Sequence, residues 1–267
     1  VEDKRPIGAL LTIFAVVILF WGVFKLNGSA LNTWADRYTD REIKGNTQVV
    51  FNGLKLAKEV EYKKDSVELY DASFRIQKVA GEVQKTVDYP VYFRNVAKDK
   101  LPEEGSKVSL WATNLSQSIN PGWVIILTPL VVAFFTFLRG RKKEPSTPTK
   151  IAFGLLISAL SVLVMIAAVN MGANGTEKVS VWWLVANYGV ITIGELFLSP
   201  MGLSVVSKLS PTNITSLMMG GWFLATSIGN KLSGVLASLW DTYDNKQDFF
   251  WINFGLLMFA TLLMFVL

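Results

Sequence analysis

A chain of 267 residues in which 51% are apolar and only 18% are charged has too little polar surface for a soluble domain, and its mean hydropathy of +0.37 agrees. The absence of cysteine and histidine excludes a disulfide framework, thiolate or imidazole metal sites and the usual catalytic base, so proton chemistry must use carboxylates or lysines. The net charge of +5 is concentrated in a tract that directly follows an apolar run, which indicates a loop beside a membrane and not a nucleic-acid surface. No metal, cofactor or nucleic-acid partner is therefore expected.

The first predicted membrane span is Ile7 to Phe24, which carries no charge and follows the short polar stretch Val1 to Pro6. The chain starts at Val1 and stops at Leu267 inside an apolar run, so neither end resembles a natural terminus and we expect a fragment of a longer protein. Lys25 directly follows the span. Two interpretations of it stay open: a lysine that snorkels to the interface, or one that has a buried partner.

Residues 41–114 differ in character, because charges return every few residues and apolar residues alternate with polar ones. A period of two predicts strands, and the region shows no nucleophile–base pair, no metal-spaced cluster and no glycine-rich phosphate loop. We expect a small β-rich insertion with a structural or docking role. The predicted strands lie within Val60 to Lys63, Val67 to Asp71, Ala72 to Val79, Val91 to Val96 and Val108 to Trp111.

The second span, 119–138, is followed by the basic tract Arg139 to Lys150, which holds five basic residues and one acidic residue. Loops rich in lysine and arginine stay on the cytoplasmic side of a membrane, so this loop is predicted to be cytoplasmic. The insertion at 41–114, one span earlier, is then extracytoplasmic, and Val1 to Pro6 is cytoplasmic.

Three more apolar stretches complete the membrane part, together with the span that contains Glu195. The stretch 151–169 is rich in small residues that permit close helix packing, 213–239 combines glycines with polar residues, and 249–267 ends the chain. The fold predicted from these patterns is an all-α membrane protein with six transmembrane helices and a β-rich extracytoplasmic insertion. Its expected divisions are 1–40 for the first helix, 41–114 for the insertion and 115–267 for the other five helices.

The fourth span begins at Val179 and places Glu195 well inside an uncharged run. A carboxylate at membrane depth costs roughly 2.5–3.5 kcal/mol on insertion scales, so it usually faces a cavity or the bundle interior and has a partner. Ser199 follows on the same helical face, and Pro200 removes a backbone donor, so a carboxylate, a hydroxyl and a freed carbonyl can together bind a cation. The alternative is that Glu195 pairs with a lysine on a neighbouring helix and only fixes packing.

Four motifs resemble the proton-dependent oligopeptide transporter family of the major facilitator superfamily. GELFLSPMGLSVVSKLSP (194–211) and MMGGWFLATSIGNKLSG (218–234) resemble that family's tenth and eleventh helices and are the most specific. FWGVFKLNGSAL (20–31) and the Asn120-Pro121 start of the second span are similar to its seventh and eighth helices. The resemblance implies the carboxy-terminal six-helix half of a major facilitator fold in the cytoplasmic (inner) membrane, with the amino-terminal half outside this chain.

The resemblance also implies a function, namely proton-coupled symport of di- and tripeptides by alternating access. It assigns Glu195 to the amino terminus of the peptide, and Asn120, Trp222 and the hydroxyl of Thr226 to the binding cavity. Ordinary aromatic packing for Trp222 and interhelical hydrogen bonding for Thr226 remain alternatives. Lys25 departs from the family pattern, which usually has an acidic residue there, and we expect it to take part in proton coupling together with Glu195.

Two other functions compete with peptide symport. One is a transporter of another small solute such as nitrate, and the other is a membrane-anchored receptor that binds its ligand through the insertion. A mere anchor has no reason to keep a carboxylate at membrane depth, and a cavity carboxylate disfavours an anion unless Lys25 or Lys231 binds it. An enzyme is not expected, because the sequence has no catalytic constellation.

Overall fold

The computed structural model describes residues 7–71 and 74–267, and this part of the chain is mostly helical. The stretch Val1 to Pro6, predicted to be cytoplasmic, lies outside the described residues. The α-helices are α1 (Ile7–Phe24), α2 (Ala30–Arg37), α3 (Asn46–Gly53), α4 (Ser116–Gly140), α5 (Thr147–Met171), α6 (Trp182–Leu209), α7 (Thr215–Ser238) and α8 (Lys246–Val266). The strands are β1 (Thr39–Asp40), β2 (Ala57–Glu61), β3 (Asp65–Glu68), β4 (Lys78–Val79), β5 (Glu82–Val83), β6 (Lys85–Asp88), β7 (Lys107–Trp111) and β8 (Val179–Ser180).

Within the described residues, five helical segments are long and apolar enough to cross a membrane. They are Ile7–Arg37, Thr113–Gly140, Thr147–Met171, Trp182–Leu209 and Lys246–Val266. α7 has 24 residues but is not among them. Its glycines and its polar residues, which include Asn230 and Lys231, lower its hydropathy. The chain is therefore an integral membrane protein with at least five candidate spans in its described part.

The first span is not one uninterrupted helix. α1 ends at Phe24, as the sequence pattern predicts, and a 3-10 turn over Lys25–Gly28 connects it to α2. The turn coincides with the run of polar and small residues after the apolar stretch, where helix propensity falls. This break directs the chain from the bundle towards the insertion and places Lys25 at the junction.

α5 and α6 pack at very close range because both carry glycine where they meet. A Cβ atom built on Gly154 would lie 2.8 Å from the carbonyl oxygen of Gly194, and one built on Gly194 would lie 2.1 Å from Oγ of Ser158. Real side chains do not tolerate such distances, so only glycine permits this approach. The small residues predicted to allow close packing in 151–169 serve that purpose and fix α6 in the bundle.

Residues 41–114 form three antiparallel strand pairs: β2 with β7, β3 with β6, and β4 with β5. The strand predicted over Val91 to Val96 is wrong, because Val91–Asn95 is a 3-10 helix. The neighbouring rings of Tyr92 and Phe93 are both buried, at 6% and 5% exposure, and a strand would point them to opposite faces. The strand predicted over Ala72 to Val79 is observed only as β4, and residues 72 and 73 lie outside the described part.

This segment is tied to the bundle by buried polar contacts. The guanidinium group of Arg41, 7% exposed, pairs with Asp36 at 2.8 Å and donates to the carbonyl oxygen of Trp111 at 3.1 Å. The side-chain amide of Asn95 donates at 3.0 Å to the carbonyl oxygens of Arg37 and Gly175. The parallel pair β1 and β8 adds backbone bonds between the end of the first span and the α5–α6 loop.

Candidate functional site

Glu195 lies near the middle of α6, half-buried, on a face that also carries three hydroxyl side chains. Tyr188, Thr192, Glu195 and Ser199 follow one another at intervals of four, three and four residues, which places them along one side of a helix. α6 continues through Pro200, whose ring nitrogen has no proton to donate, so the carbonyl of Leu196 loses its usual helical donor. The predicted grouping of a carboxylate, a hydroxyl and a freed carbonyl is therefore present on α6.

Asn120, in the first turns of α4, connects that helix to the polar face of α6. Its Nδ2 atom donates to Oε2 of Glu195 at 3.3 Å and to Oγ1 of Thr192 at 2.9 Å. Thr192 in turn donates to the carbonyl oxygen of Tyr188 at 2.6 Å. A single amide thus fixes two side chains of α6, and the geometry brings together two residues that the sequence analysis assigned to one site.

The same face of α6 reaches the turn that follows α1. The hydroxyl of Tyr188 donates to the carbonyl oxygen of Asn27 at 3.3 Å, and Tyr188 itself is fully buried. Asn27 belongs to the Lys25–Gly28 turn, so the junction after the first span contacts the helix that carries Glu195. This contact couples the position of Lys25 to that of α6.

Lys25 is exposed, and its ammonium group lies over the rings of Trp21 and Phe24, at 5.2 Å and 5.8 Å from their centroids. The Lys25 ammonium interacts electrostatically with the Glu195 carboxylate. Within the described residues, neither side chain forms an ion pair within 4.0 Å. The alternative in which a lysine of this chain pairs directly with Glu195 is not observed there.

Trp222, on α7, is 4% exposed and packs against α6. A Cβ atom built on Gly202 would lie 1.8 Å from the Trp222 ring, so the glycine makes room for the indole. The hydroxyl of Thr226 donates to the carbonyl of Trp222 on its own helix, at 3.1 Å. The structure therefore gives both residues local packing and hydrogen-bonding partners and does not bring them into hydrogen-bond contact with Glu195.

Ser199 differs from the other hydroxyl residues of α6. Its Oγ atom is buried and has no hydrogen-bond partner among the described residues. On either side of Ser199 along α6, Leu196, Pro200 and Met201 line an open apolar cleft of about 220 Å³ between α4 and α6. A buried hydroxyl without a partner is costly, so Ser199 is a group that a ligand or a water molecule can satisfy.

Sequence reasoning missed Thr192 and Tyr188, although the signal was present in their spacing to Glu195. Within the described residues there is no group of three carboxylates that could hold a metal ion. What the site offers is a half-buried carboxylate held by one neutral amide. Such a carboxylate attracts a cationic group that can replace its lost hydration.

Comparison with known proteins gives a matching result. A sequence model described as the POT family matches residues 112–252, which is more than half of the chain. Dipeptide and tripeptide permease A of Proteus mirabilis (strain HI4320) is 36% identical over 132 residues, covering 49% of this chain and 26% of the permease. Peptide transporter YePEPT of Yersinia enterocolitica subsp. palearctica is 38% identical over 121 residues, covering 45% of this chain and 24% of that transporter.

The fold is similar to that of solved transporters. The crystal structure of a POT family transporter in complex with a thioalcohol-conjugated peptide aligns with a TM-score of 0.64 and 20% identity, covering 99% of this chain and 43% of that one. A second crystal structure, of a POT family transporter with 5-aminolevulinic acid, gives the same TM-score of 0.64. The chain thus spans less than half of the length of the relatives that it matches.

Proposed function

Because the chain belongs to the POT family, we propose that it forms the carboxy-terminal six-helix half of a proton-coupled symporter for di- and tripeptides. The named relatives are dipeptide and tripeptide permeases and peptide transporters, which supports this substrate class. This carboxy-terminal half would pack against an amino-terminal half of similar size. Alternating access would then move the site between the two sides of the membrane.

The sixth span in this proposal is α7. At 1.5 Å per residue its 24 residues reach about 36 Å, more than the roughly 30 Å of a hydrocarbon core. Leu217, Phe223, Leu224 and Val235 of α7 are each more than half exposed. This exposed side also carries the polar residues Ser227, Asn230 and Lys231, and a mixed surface of this kind suits a helix that faces both lipid and a cavity.

The observation that carries the proposal is the state of Glu195. Its carboxylate is half-buried, receives a hydrogen bond from the neutral amide of Asn120 and has no ion pair in the described chain. A half-buried carboxylate without a cation is poorly solvated, and the ammonium group of a peptide supplies the missing charge. We assign Glu195 to that group and Asn120 to holding the carboxylate and contacting the peptide.

The remaining site residues follow from their positions around α6. Ser199, with its unsatisfied hydroxyl, would contribute a hydrogen bond on the face of Glu195. Trp222 and Thr226 would form the α7 wall, with the indole held in place by the absence of a side chain at Gly202. Lys25 would act in proton coupling, through its electrostatic interaction with Glu195 and a carboxylate of the other half.

Sidedness rests on the basic loop between α4 and α5, which we place in the cytoplasm. In that loop Arg139 donates to Glu144 at 2.8 and 3.1 Å, and Lys150 donates to the same carboxylate. These hydrogen bonds lower the pKa of Glu144 to about 2, so its carboxylate stays ionised at physiological pH. The β-containing segment 41–114 then lies on the periplasmic side of the cytoplasmic membrane.

The test is uptake by the whole protein in sealed liposomes with an inward proton gradient. We expect accumulation of a labelled dipeptide above its outside concentration, collapse of that accumulation by a protonophore, and competition by unlabelled tripeptide. Free amino acids and nitrate serve as control solutes. Accumulation of nitrate without accumulation of dipeptide would reject peptide symport, and binding without any uptake would favour a receptor.

A further inference from the structure

α3 is a two-turn helix of the segment 41–114 that is fixed on one side only. Phe51 is partly buried and packs against the main hydrophobic core, which includes Ile43 and Trp111 of the same segment. The side-chain amide of Gln48 donates to Oγ of Ser109 at 2.8 Å. These two contacts lie on neighbouring positions of the helical wheel and define the side of α3 that faces the protein.

The other side of α3 is apolar and uncovered. Val49 and Val50 of α3 are 74% and 56% exposed, and Leu54, which directly follows the helix, is 63% exposed. At 100° per residue the three fall within one sector of about 140°, in which the exposed Asn46 also lies. An eight-residue helix with no buried side chain, together with the residue that ends it, would seldom present three large aliphatic groups to water alone. An exposed cluster of aliphatic side chains marks a surface that contacts either a membrane or another protein.

The position of α3 close to a membrane span indicates which of these partners it contacts. The carbonyl of Leu56, two residues after Leu54, accepts a hydrogen bond from the amide of Ala112 at 2.9 Å. Ala112 immediately precedes the candidate span Thr113–Gly140, and Ala57 pairs with Trp111 in the strands that lead to it. The residues that follow α3 therefore lie next to the start of the candidate span that contains α4.

The charges around α3 fit the same surface. Lys55 and Lys58, just after the helix, are exposed, and neither α3 nor the residues between it and Lys58 include a carboxylate, whereas the exposed Lys44 before the helix pairs with Glu42 at 2.9 Å. Basic side chains beside an apolar stripe are typical of helices that lie in a membrane interface, where the ammonium groups reach the lipid phosphates.

We propose that α3 is an interfacial membrane helix, which inserts Val49, Val50 and Leu54 among the acyl chains next to the entry of α4 and keeps Lys55 and Lys58 at the level of the phosphates. The contact anchors the 41–114 segment to the leaflet from which it emerges. It depends only on the chain being embedded in a bilayer, so it is independent of the transported solute.

Two equally exposed valines allow a matched test. Val49 is 74% exposed and Val87, on β6, is 73% exposed, but Val87 is not among the described residues that pack on the bundle core. This chain has no cysteine, so Val49→Cys and Val87→Cys each introduce one thiol for a nitroxide label, once any cysteine elsewhere in the whole protein has been replaced by serine. Val50→Cys provides a second position on the helix should Val49→Cys reduce expression.

The measurement is the collision rate of each label with oxygen, which concentrates in lipid, and with a water-soluble nickel chelate, in the whole protein reconstituted in liposomes. We expect a high collision rate with oxygen and a low one with nickel at position 49, and the reverse at position 87. The oxygen-to-nickel ratio of the two rates should differ between the positions by at least about tenfold. Equal rates at the two positions would overturn the proposal. So would low rates with both reagents at position 49, because that result places another protein surface on α3.

Discussion

The side-chain amide nitrogen of Asn120 lies 3.3 Å from a carboxylate oxygen of Glu195, so the start of α4 and the middle of α6 meet through one hydrogen bond. The same nitrogen lies 2.9 Å from the hydroxyl of Thr192. Each acceptor bonds to one of the two protons on this nitrogen, so loss of one acceptor frees the amide to rotate and changes the geometry at the other. The position of the carboxylate therefore depends on a residue one turn away on its own helix.

Thr192→Val tests that dependence. It keeps the volume but removes the hydroxyl that accepts from Asn120 and donates to Tyr188. Because a net hydrogen bond is worth about 0.5–1.5 kcal/mol, we expect KM for dipeptide uptake to rise by roughly 2- to 12-fold. Thr136→Val is the control, since Thr136 is exposed on α4 and bonds only within its helix. An equal KM in the two variants would contradict the role given to Thr192.

The topology rests on the basic loop and is tested by single cysteines in a cysteine-free background. Ser146→Cys, in the loop between α4 and α5, should be shielded from an impermeant thiol reagent in intact cells. Ser66→Cys, on β3, should be labelled. Both should react once the membrane is permeabilised, which shows that each thiol is reactive. The reverse pattern in intact cells would invert the assignment of sides.

Lys25 is expected to couple transport to protons. Its ammonium group interacts with Glu195 without a direct ion pair, so its removal should leave peptide binding largely in place. Lys25→Ala should retain peptide-for-peptide counterflow in liposomes and lose accumulation driven by a pH gradient. Lys208→Ala on α6 serves as a control for the loss of a lysine. Wild-type accumulation by Lys25→Ala would identify Lys25 as an interfacial anchor, which its contacts with Trp21 and Phe24 also permit.

Lys178, in the loop between α5 and α6, should make stability depend on pH. Burial, with the nearby charge of Arg41, lowers its pKa to about 7 from a usual 10.5. Between those values the unfolded chain binds the extra proton, so stability rises as pH increases from 7 towards 10. Lys178→Met should flatten this rise in melting temperature measured in detergent, and the exposed Lys58→Met should not. An unchanged slope in Lys178→Met would contradict the assignment.

Several features could be predicted because they depend on local sequence. The bounds of α1 follow from an uninterrupted apolar run, and α4 and α5 contain the apolar stretches that predicted them. α6 begins at Trp182, after the predicted start at Val179, and α8 covers the predicted stretch 249–267 except for its last residue. The strands predicted over Val60 to Lys63 and Val108 to Trp111 overlap β2 and β7, although β2 begins at Ala57 and β7 is buried at four successive positions. The helix α3 was missed, because its exposed valines gave a pattern that neither a buried strand nor a soluble helix would show.

The site itself was only partly accessible from sequence. Glu195 was evident as a charge inside an apolar run, whereas the family resemblance only placed Asn120 in the same cavity and predicted no bond between these two residues 75 positions apart. The bond from Tyr188 to Asn27 crosses 161 positions and had no local signal. For Trp222 the sequence motif suggested a residue of the binding cavity, whereas in the structure its indole packs against Gly202.

The most direct test of the account is peptide uptake by Glu195→Gln, which keeps the shape of the side chain and removes its charge. Losing one partner of a buried, hydrogen-bonded charge pair costs about 2–5 kcal/mol, so uptake of an unmodified dipeptide should fall by at least about 30-fold. Membrane insertion should stay normal, and Glu177→Gln, an exposed acid in the α5–α6 loop, should transport at the wild-type rate. Unchanged dipeptide uptake by Glu195→Gln at equal expression would contradict the assignment of this carboxylate to the peptide amino terminus.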